Sequence, residues 1–409
     1  GRIGYPTMNS QEIKTFCILF FAVLTALTGV GIVVPLLPVY ARDIGASGFY
    51  IGMIFGIFSI SRTTFIPYFG RSSDRRGRKP FILGGLLGYA AVALALYHTT
   101  NVTMLISIRF VQGIFSAMMM PVLQAYVGDI TPDGREGFTM GIFNLATFVG
   151  LGMGPLLGGV ISDHWNLQTA FASMGALALA GFLLSLLGLP PTKHEKAFRN
   201  YTAPTAWRYL LGHREILGLF TFRLAYTTCI GVIWGFLPIF ADQSLHLSRS
   251  AIGALIMTGV MVSGIMHVPM GYLADRVSKP LMVATGGVLA GTGVLTFIWS
   301  QTLTGMLMSS GLFGLGGGIA MPALMGMAVI KGAQVGAMGA LMALLTLGHS
   351  LGMMTGALMA GVLMDQLQLK WAFPFAAAVM LLGVVGFWCW SGGASAFPDT
   401  HDDPATDHR

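Results

Sequence analysis

Apolar and polar positions along this chain alternate on the scale of whole helices. Stretches of about 20 mostly apolar residues recur from end to end, separated by short polar breaks. A helix rises about 1.5 Å per residue, so each stretch can cross a hydrocarbon core of roughly 30 Å. The pattern predicts twelve spans, over 15–41, 49–69, 80–98, 102–126, 138–161, 168–189, 215–241, 250–272, 280–299, 302–328, 337–363 and 370–391. Residues 1–14 then form an N-terminal cytosolic segment, 190–214 a cytosolic linker, and 392–409 a tail whose Asp, His and Pro content predicts disorder. The first apolar stretch lacks a small-residue cleavage site and reads as a span rather than a leader.

Composition excludes a water-soluble globular protein: 54% of the 409 residues are hydrophobic and 10% charged, with a mean hydropathy of +0.73. The 56 glycines suit helices that approach closely in lipid, and Gly52/Gly56, Gly154/Gly158, Gly314/Gly318 and Gly352/Gly356 have the four-residue spacing of such contacts. Cys17, Cys229 and Cys389 lie scattered within spans and suggest neither a disulfide framework nor a zinc site. The formal charge of +7 raises the question of an acidic partner, and its distribution answers it. With the N-terminus inside, only Arg42, Arg249 and Lys370 fall outside and only Arg62, Arg109 and Arg223 fall within spans; the other Lys and Arg collect on the cytosolic side. The charge therefore marks a membrane face, and no nucleic-acid partner is expected. Both termini are expected in the cytoplasm, with the chain integral to a bacterial inner (plasma) membrane.

Shifted by about 201 residues, the sequence meets itself at several separated places. Gly70, Asp74, Arg75 and Lys79-Pro80 fall on Gly271, Asp275, Arg276 and Lys279-Pro280; Met120-Pro121 falls on Met321-Pro322. Asp163 and Ala170-Phe171 fall on Asp365 and Ala372-Phe373 at nearly the same shift. Six spans per copy is an even number, so both copies enter the membrane in the same orientation, about an axis along the membrane normal. The expected fold is an all-α membrane protein of two six-helix bundles, 15–189 and 215–391, related by pseudo-two-fold symmetry with a cavity between them.

Four motifs carry a resemblance. The loop Gly70-Arg-Ser-Ser-Asp74-Arg75-Arg76-Gly77-Arg78-Lys79 resembles the signature between the second and third spans of the major facilitator superfamily. Gly150-Leu-Gly152-Met-Gly154-Pro155-Leu-Leu-Gly158-Gly159 in the fifth span is similar to the motif of the superfamily's twelve-span drug:proton antiporters. Gly29-Val-Gly31-Ile-Val-Val-Pro35-Leu-Leu-Pro38 and Arg109-Phe-Val-Gln112-Gly113 resemble further motifs of that family, so the likeness spans nearly the whole first half. It implies a secondary transporter working by alternating access. It also implies that Asp129 pairs with Arg78 in a cluster that can lock the outward-facing state and break as the halves rock, echoed by Asp275 and Arg276. Asp74 is expected at a helix N-terminus, accepting backbone amides, with acidic partners for Arg75 and Arg78. Proline and glycine let the fifth span bend where the halves meet.

Charges inside lipid are costly and face a cavity or a partner, which singles out Arg62, Arg109 and Arg223. Helical spacing places Arg109 with Gln112, Arg223 with Tyr226 and Thr227, and Arg62 with Ser59. His349, roughly 18 Å from the end of its span, sits near mid-membrane with Thr346, Ser350 and Met353. Snorkelling is the plainer reading for Arg62 and Arg223, and a hydrogen-bonded packing role for His349. Asn144 on the fifth span completes the expected substrate or coupling set.

No Asp or Glu falls deep in a span, a departure from related antiporters that use a buried carboxylate. A cavity with arginine and histidine but no acid favours an anionic or zwitterionic solute. The 26 methionines are read as flexible filler, so neither metal nor cofactor is expected. No nucleotide loop or zinc-protease helix supports an enzyme. The expected partners are a small-molecule substrate, membrane lipid and, if transport is coupled, protons, with the chain acting as a monomer. The expected activity is export of a small amphipathic or anionic metabolite or drug; uptake of an organic anion or metal complex, and a receptor that moves nothing, are the alternatives.

Overall fold

The computed structural model describes residues 8–132, 136–190, 207–274 and 276–391. The predicted tail 392–409, most of the predicted linker and Asp275 lie outside the described residues. All twelve predicted spans are helical; most end within about five residues of the prediction, while the second and tenth run on to Arg76 and Val335, past predicted ends at 69 and 328. The first span is α1 (Ser10–Val33) and α2 (Leu36–Asp43), interrupted at Val34-Pro35. It is followed by α3 (Gly48–Arg76), α4 (Lys79–Tyr97), α5 (Val102–Ile130), α6 (Glu136–His164) and α7 (Leu167–Gly188). A short α8 (Trp207–Leu211) precedes α9 (Arg214–Leu245), α10 (Arg249–Ala274), α11 (Lys279–Thr296), α12 (Leu303–Val335), α13 (Met338–Gln366) and α14 (Ala372–Ser391).

Local chemistry sets the ends. Asn9 and Glu12 form a reciprocal capping box on α1. Asn101 caps α5 through the Met104 N–H at 2.8 Å, and Thr302, its counterpart in the repeat, caps α12 through the Gly305 N–H at 3.0 Å. Pro80 and Pro280 open α4 and α11 at the first helical turn, where a missing N–H costs nothing. Gly77 ends α3 at φ 88°, a conformation that favours glycine.

The repeat is visible in the packing. In the first half the first span packs on α6 and α7, α4 on α5 and α7, and α3 on α5. In the second, α9 packs on α13 and α14, α11 on α12 and α14, and α10 on α12. Each contact of one bundle has its counterpart in the other. Two long seams, also symmetry mates, join the bundles: α3 against α13 and α6 against α10.

Both seams are closed at one membrane face and splay toward the other. Gly48 meets Gly361, Gly52 meets Ala357 and Gly56 meets Met354 along the first; Gly159 meets Arg249 and Gly253 meets Pro155 along the second. At the closed end Asp365 accepts the Gly48 and Phe49 N–H groups at 2.7 and 2.9 Å, and Asp163 accepts those of Arg249 and Ser250 at 3.1 and 2.8 Å. Each carboxylate thus caps a helix N-terminus of the opposite bundle, where a negative charge is favoured. Arg42 adds a bridge to Asp242 across the same face at 2.8 Å. Toward the opposite face, which carries Arg75, Arg78, Arg276 and Lys279, the helices part and Tyr68, Val268 and Tyr272 are exposed. Polar side-chain contacts near that basic face stay within one bundle among the described residues.

Candidate functional site

Between the splayed seams lies a cavity of about 530 Å³ with its floor at mid-span. Both bundles line it: Asn144, Thr147 and Phe148 from α6, Arg223, Tyr226 and Trp234 from α9, His267 from α10, Phe313 and Met321 from α12, and His349 from α13. The size suits a drug-sized ligand, and the wall is mostly apolar with a few polar groups. No carboxylate lines it among the described residues.

Arg223 has a weak partner. Its Nη1 donates to the Met321 thioether at 2.9 Å, a neutral sulfur where a buried guanidinium ordinarily finds a carboxylate. One turn on, the Tyr226 ring stacks on Phe313 with centroids 5.3 Å apart and planes 6° from parallel. His349 faces the cavity from across α9, and its Nδ1 is buried without a hydrogen-bond partner. Arg62, on α3, also has a buried Nε with no partner. The Thr63 and Ser350 hydroxyls meet where α3 and α13 part, which sets Arg62 and His349 on either side of that seam.

Arg109 and Gln112 do not line the cavity. The Arg109 Nε donates to the Ile54 carbonyl at 3.1 Å and Nη1 to the Gln112 Oε1 at 2.6 Å. The guanidinium lies over the Phe58 ring, 4.3 Å from its centroid. The pair is buried inside the first bundle, between α3 and α5, satisfied by that bundle's own groups; only the Gln112 amide nitrogen lacks a partner.

The loop signature is partly as expected. Arg78, almost fully buried, donates from Nε to Asp129 at 3.0 Å and from Nη1 to Asp74 and Ser73. Asp74 is not at a helix N-terminus: it stands in the last turn of α3, where Arg78 rather than backbone amides neutralises it. Arg75 is exposed, with no acidic partner among the described residues, and Gly70 packs against nothing. Arg276 lies over the Tyr272 ring, and Asp275 lies outside the described residues.

The fifth-span motif divides into two faces. Gly150, Gly154 and Gly158 receive α1, so closely that a methyl at Gly154 would lie 2.7 Å from the Gly31 Cα. Gly159 and the Pro155 carbonyl face α10 of the opposite bundle, while the Pro155 ring lies against Gly31 of α1. The helix runs unbroken through Pro155.

Sequence reasoning passed over His267, whose ring centroid lies 4.7 Å from that of Phe148 and whose Nδ1 is 2.7 Å from the Ser263 carbonyl oxygen. The signal was an ionisable side chain within an apolar span. Gln124, Ser263 and Trp234 are further lining residues that it missed.

The sequence matches the family profile described as Major Facilitator Superfamily over residues 19–243 and 219–407. It is 27% identical over 379 residues to an uncharacterized MFS-type transporter of Methanocaldococcus jannaschii, covering 91% of this chain and 97% of that one. It is 26% identical over 397 residues to multidrug resistance protein 2 of Bacillus subtilis, covering 92% and 95%. Among solved structures, the nucleoside transporter NupG superposes with a TM-score of 0.79 at 12% identity over 92% of this chain and 99% of that one. The human organic anion transporter MFSD10 superposes at 0.65 with 18% identity over 92% and 99%. The duplicated six-span bundles, the cavity between them and these matches together show that the chain is a membrane transporter of the Major Facilitator Superfamily.

Proposed function

We propose that this transporter works by alternating access and exports a small amphipathic or anionic metabolite or drug. The basic face is taken as cytosolic because Lys and Arg collect there. The structure then represents an inward-facing carrier, loading from the cytosol into the cavity between the bundles. The observation that carries this reading is the pair of symmetry-related seams, sealed at one face and parted at the other around a central cavity. Rocking the bundles about mid-span would break the Asp163 and Asp365 caps and bring the basic ends of α3 and α13, and of α6 and α10, together. Export is supported by the fifth-span motif and by the multidrug resistance relative. If protons couple to transport, His267 and His349 are the imidazoles that face the cavity.

The test is flux in proteoliposomes of the purified chain, with labelled aromatic anions, lipophilic cations and neutral analogues, with and without an imposed pH gradient. Saturable movement of at least one class supports the reading, and a pH-gradient dependence supports coupling. Tight ligand binding with no flux of any class would instead favour a receptor.

A further inference from the structure

Three groups lack the partner that their chemistry calls for: Arg223 and His349, which line the cavity, and Arg62, which lies behind it across the α3–α13 seam. Arg223 rests on a thioether, Arg62 has an orphaned Nε and His349 an orphaned Nδ1. Their proximity shows in neighbouring contacts. Thr227, one turn from Arg223, reaches the Gly348 carbonyl at 3.4 Å, next to His349; Thr63, next to Arg62, meets Ser350 on the other side of His349. The neighbours of Arg223 and of Arg62 thus flank His349 on its two sides, and no acid lines the cavity among the described residues. Half-buried cations without a counter-charge are costly and repel each other, whereas a bound anion supplies what each group lacks. Beyond this pole the cavity wall turns aromatic, with Phe148, Trp234 and the Tyr226–Phe313 stack.

We propose that the cavity binds an organic anion with an aromatic body, its carboxylate or other oxyanion bridging Arg223 and His349 of the second bundle to Arg62 of the first. The proposal rests on the transporter reading and names its substrate class. It adds a consequence for the cycle. Arg62 belongs to the bundle opposite Arg223 and His349, so the bound anion links the two halves. Closing the basic face over an empty cavity would compress like charges; closing over an anion would neutralise them. Occupancy thereby becomes a condition for closure, which suppresses futile movement of the empty carrier.

The probe is 2-naphthoate, compared with its neutral and cationic isosteres, 2-naphthylmethanol and 2-naphthylmethylamine, in equilibrium dialysis against the full chain in nanodiscs. The expected result is at least tenfold tighter binding of naphthoate than of the alcohol, and tenfold or greater weakening by Arg223→Ala. Arg62→Gln, in the other bundle, is expected to weaken naphthoate severalfold while leaving the alcohol unchanged. The preference ratio in the unaltered chain does not depend on any variant folding. Equal or tighter binding of the alcohol or the amine overturns the proposal, as does naphthoate binding indifferent to both substitutions. Flux separates the two readings: transport of lipophilic cations without naphthoate binding overturns the anion site and leaves the transporter standing. Naphthoate binding without flux of any solute does the reverse.

Discussion

Replacing Asp163 and Asp365 together by Asn should open the sealed face. Each carboxylate accepts two backbone N–H groups at a helix N-terminus of the opposite bundle, and Asp163 also takes the Ser250 hydroxyl at 2.5 Å. Asparagine keeps one acceptor oxygen but loses the second and the charge. A helix N-cap of this kind contributes about 0.5–2 kcal/mol. Both aspartates are exposed, so screening places each near about 1 kcal/mol and the pair near about 2 kcal/mol. These bonds exist only while the face is closed. Their loss should therefore move the ratio of open to closed carriers by about 30-fold. The assay is spin-label distance measurement between Thr100→Cys and Gln301→Cys, exposed symmetry counterparts in the two bundles near this face, with Cys17, Cys229 and Cys389 replaced by Ser. The double substitution should add a longer-distance population, and each single substitution a smaller one. Arg42→Ala should do less than either, because the half-exposed bridge to Asp242 contributes about 0–1 kcal/mol. A distribution in the double variant that matches the parent's would refute the assignment of these carboxylates as the latch.

Gly154→Leu should destabilise the first bundle by about 1–3 kcal/mol or prevent its assembly, because α1 leaves no room at Gly31; thermal unfolding of the purified protein reads this. Arg109→Ala should lower stability by about 1–3 kcal/mol, since it strips the Ile54 carbonyl and Gln112 of their buried donor. The folded fraction of that variant should bind 2-naphthoate as the parent does, and a matching loss of affinity with no loss of stability would place Arg109 in the substrate site instead.

The spans were legible because lipid demands about 20 apolar residues per crossing, and the duplication was legible because its Asp, Gly and Pro landmarks recur at nearly one spacing. The pairing of Arg78 with Asp129 followed from the family resemblance. What sequence could not supply was the direction each side chain takes around its helix. Rise per residue gives Arg109 and Arg223 a depth, but lipid and bundle interior are both apolar, so the pattern hardly separates an inward face from an outward one. Arg109 therefore looked like a cavity residue and proved to be packed against α3, while His267 looked ordinary and faces the cavity. Asp74 was misplaced for a related reason: α3 continues to Arg76, beyond its apolar stretch, which moves Asp74 from a helix start to a helix end. The roles of Asp163 and Asp365 were hidden because each caps a helix of the other bundle, a relation across roughly 85 residues in one case and over 300 in the other.

Alternating access is tested most directly by asking from which side the cavity can be reached. A single cysteine at Asn144, which lines it, can be challenged with a membrane-impermeant maleimide on either side of sealed, oriented vesicles. The account predicts that with Asp163 and Asp365 intact the thiol reacts from the basic face, and that the double asparagine variant gains reaction from the opposite face as it loses reaction from the first. Labelling confined to one face in both proteins, or from both faces at once in the parent, would contradict it.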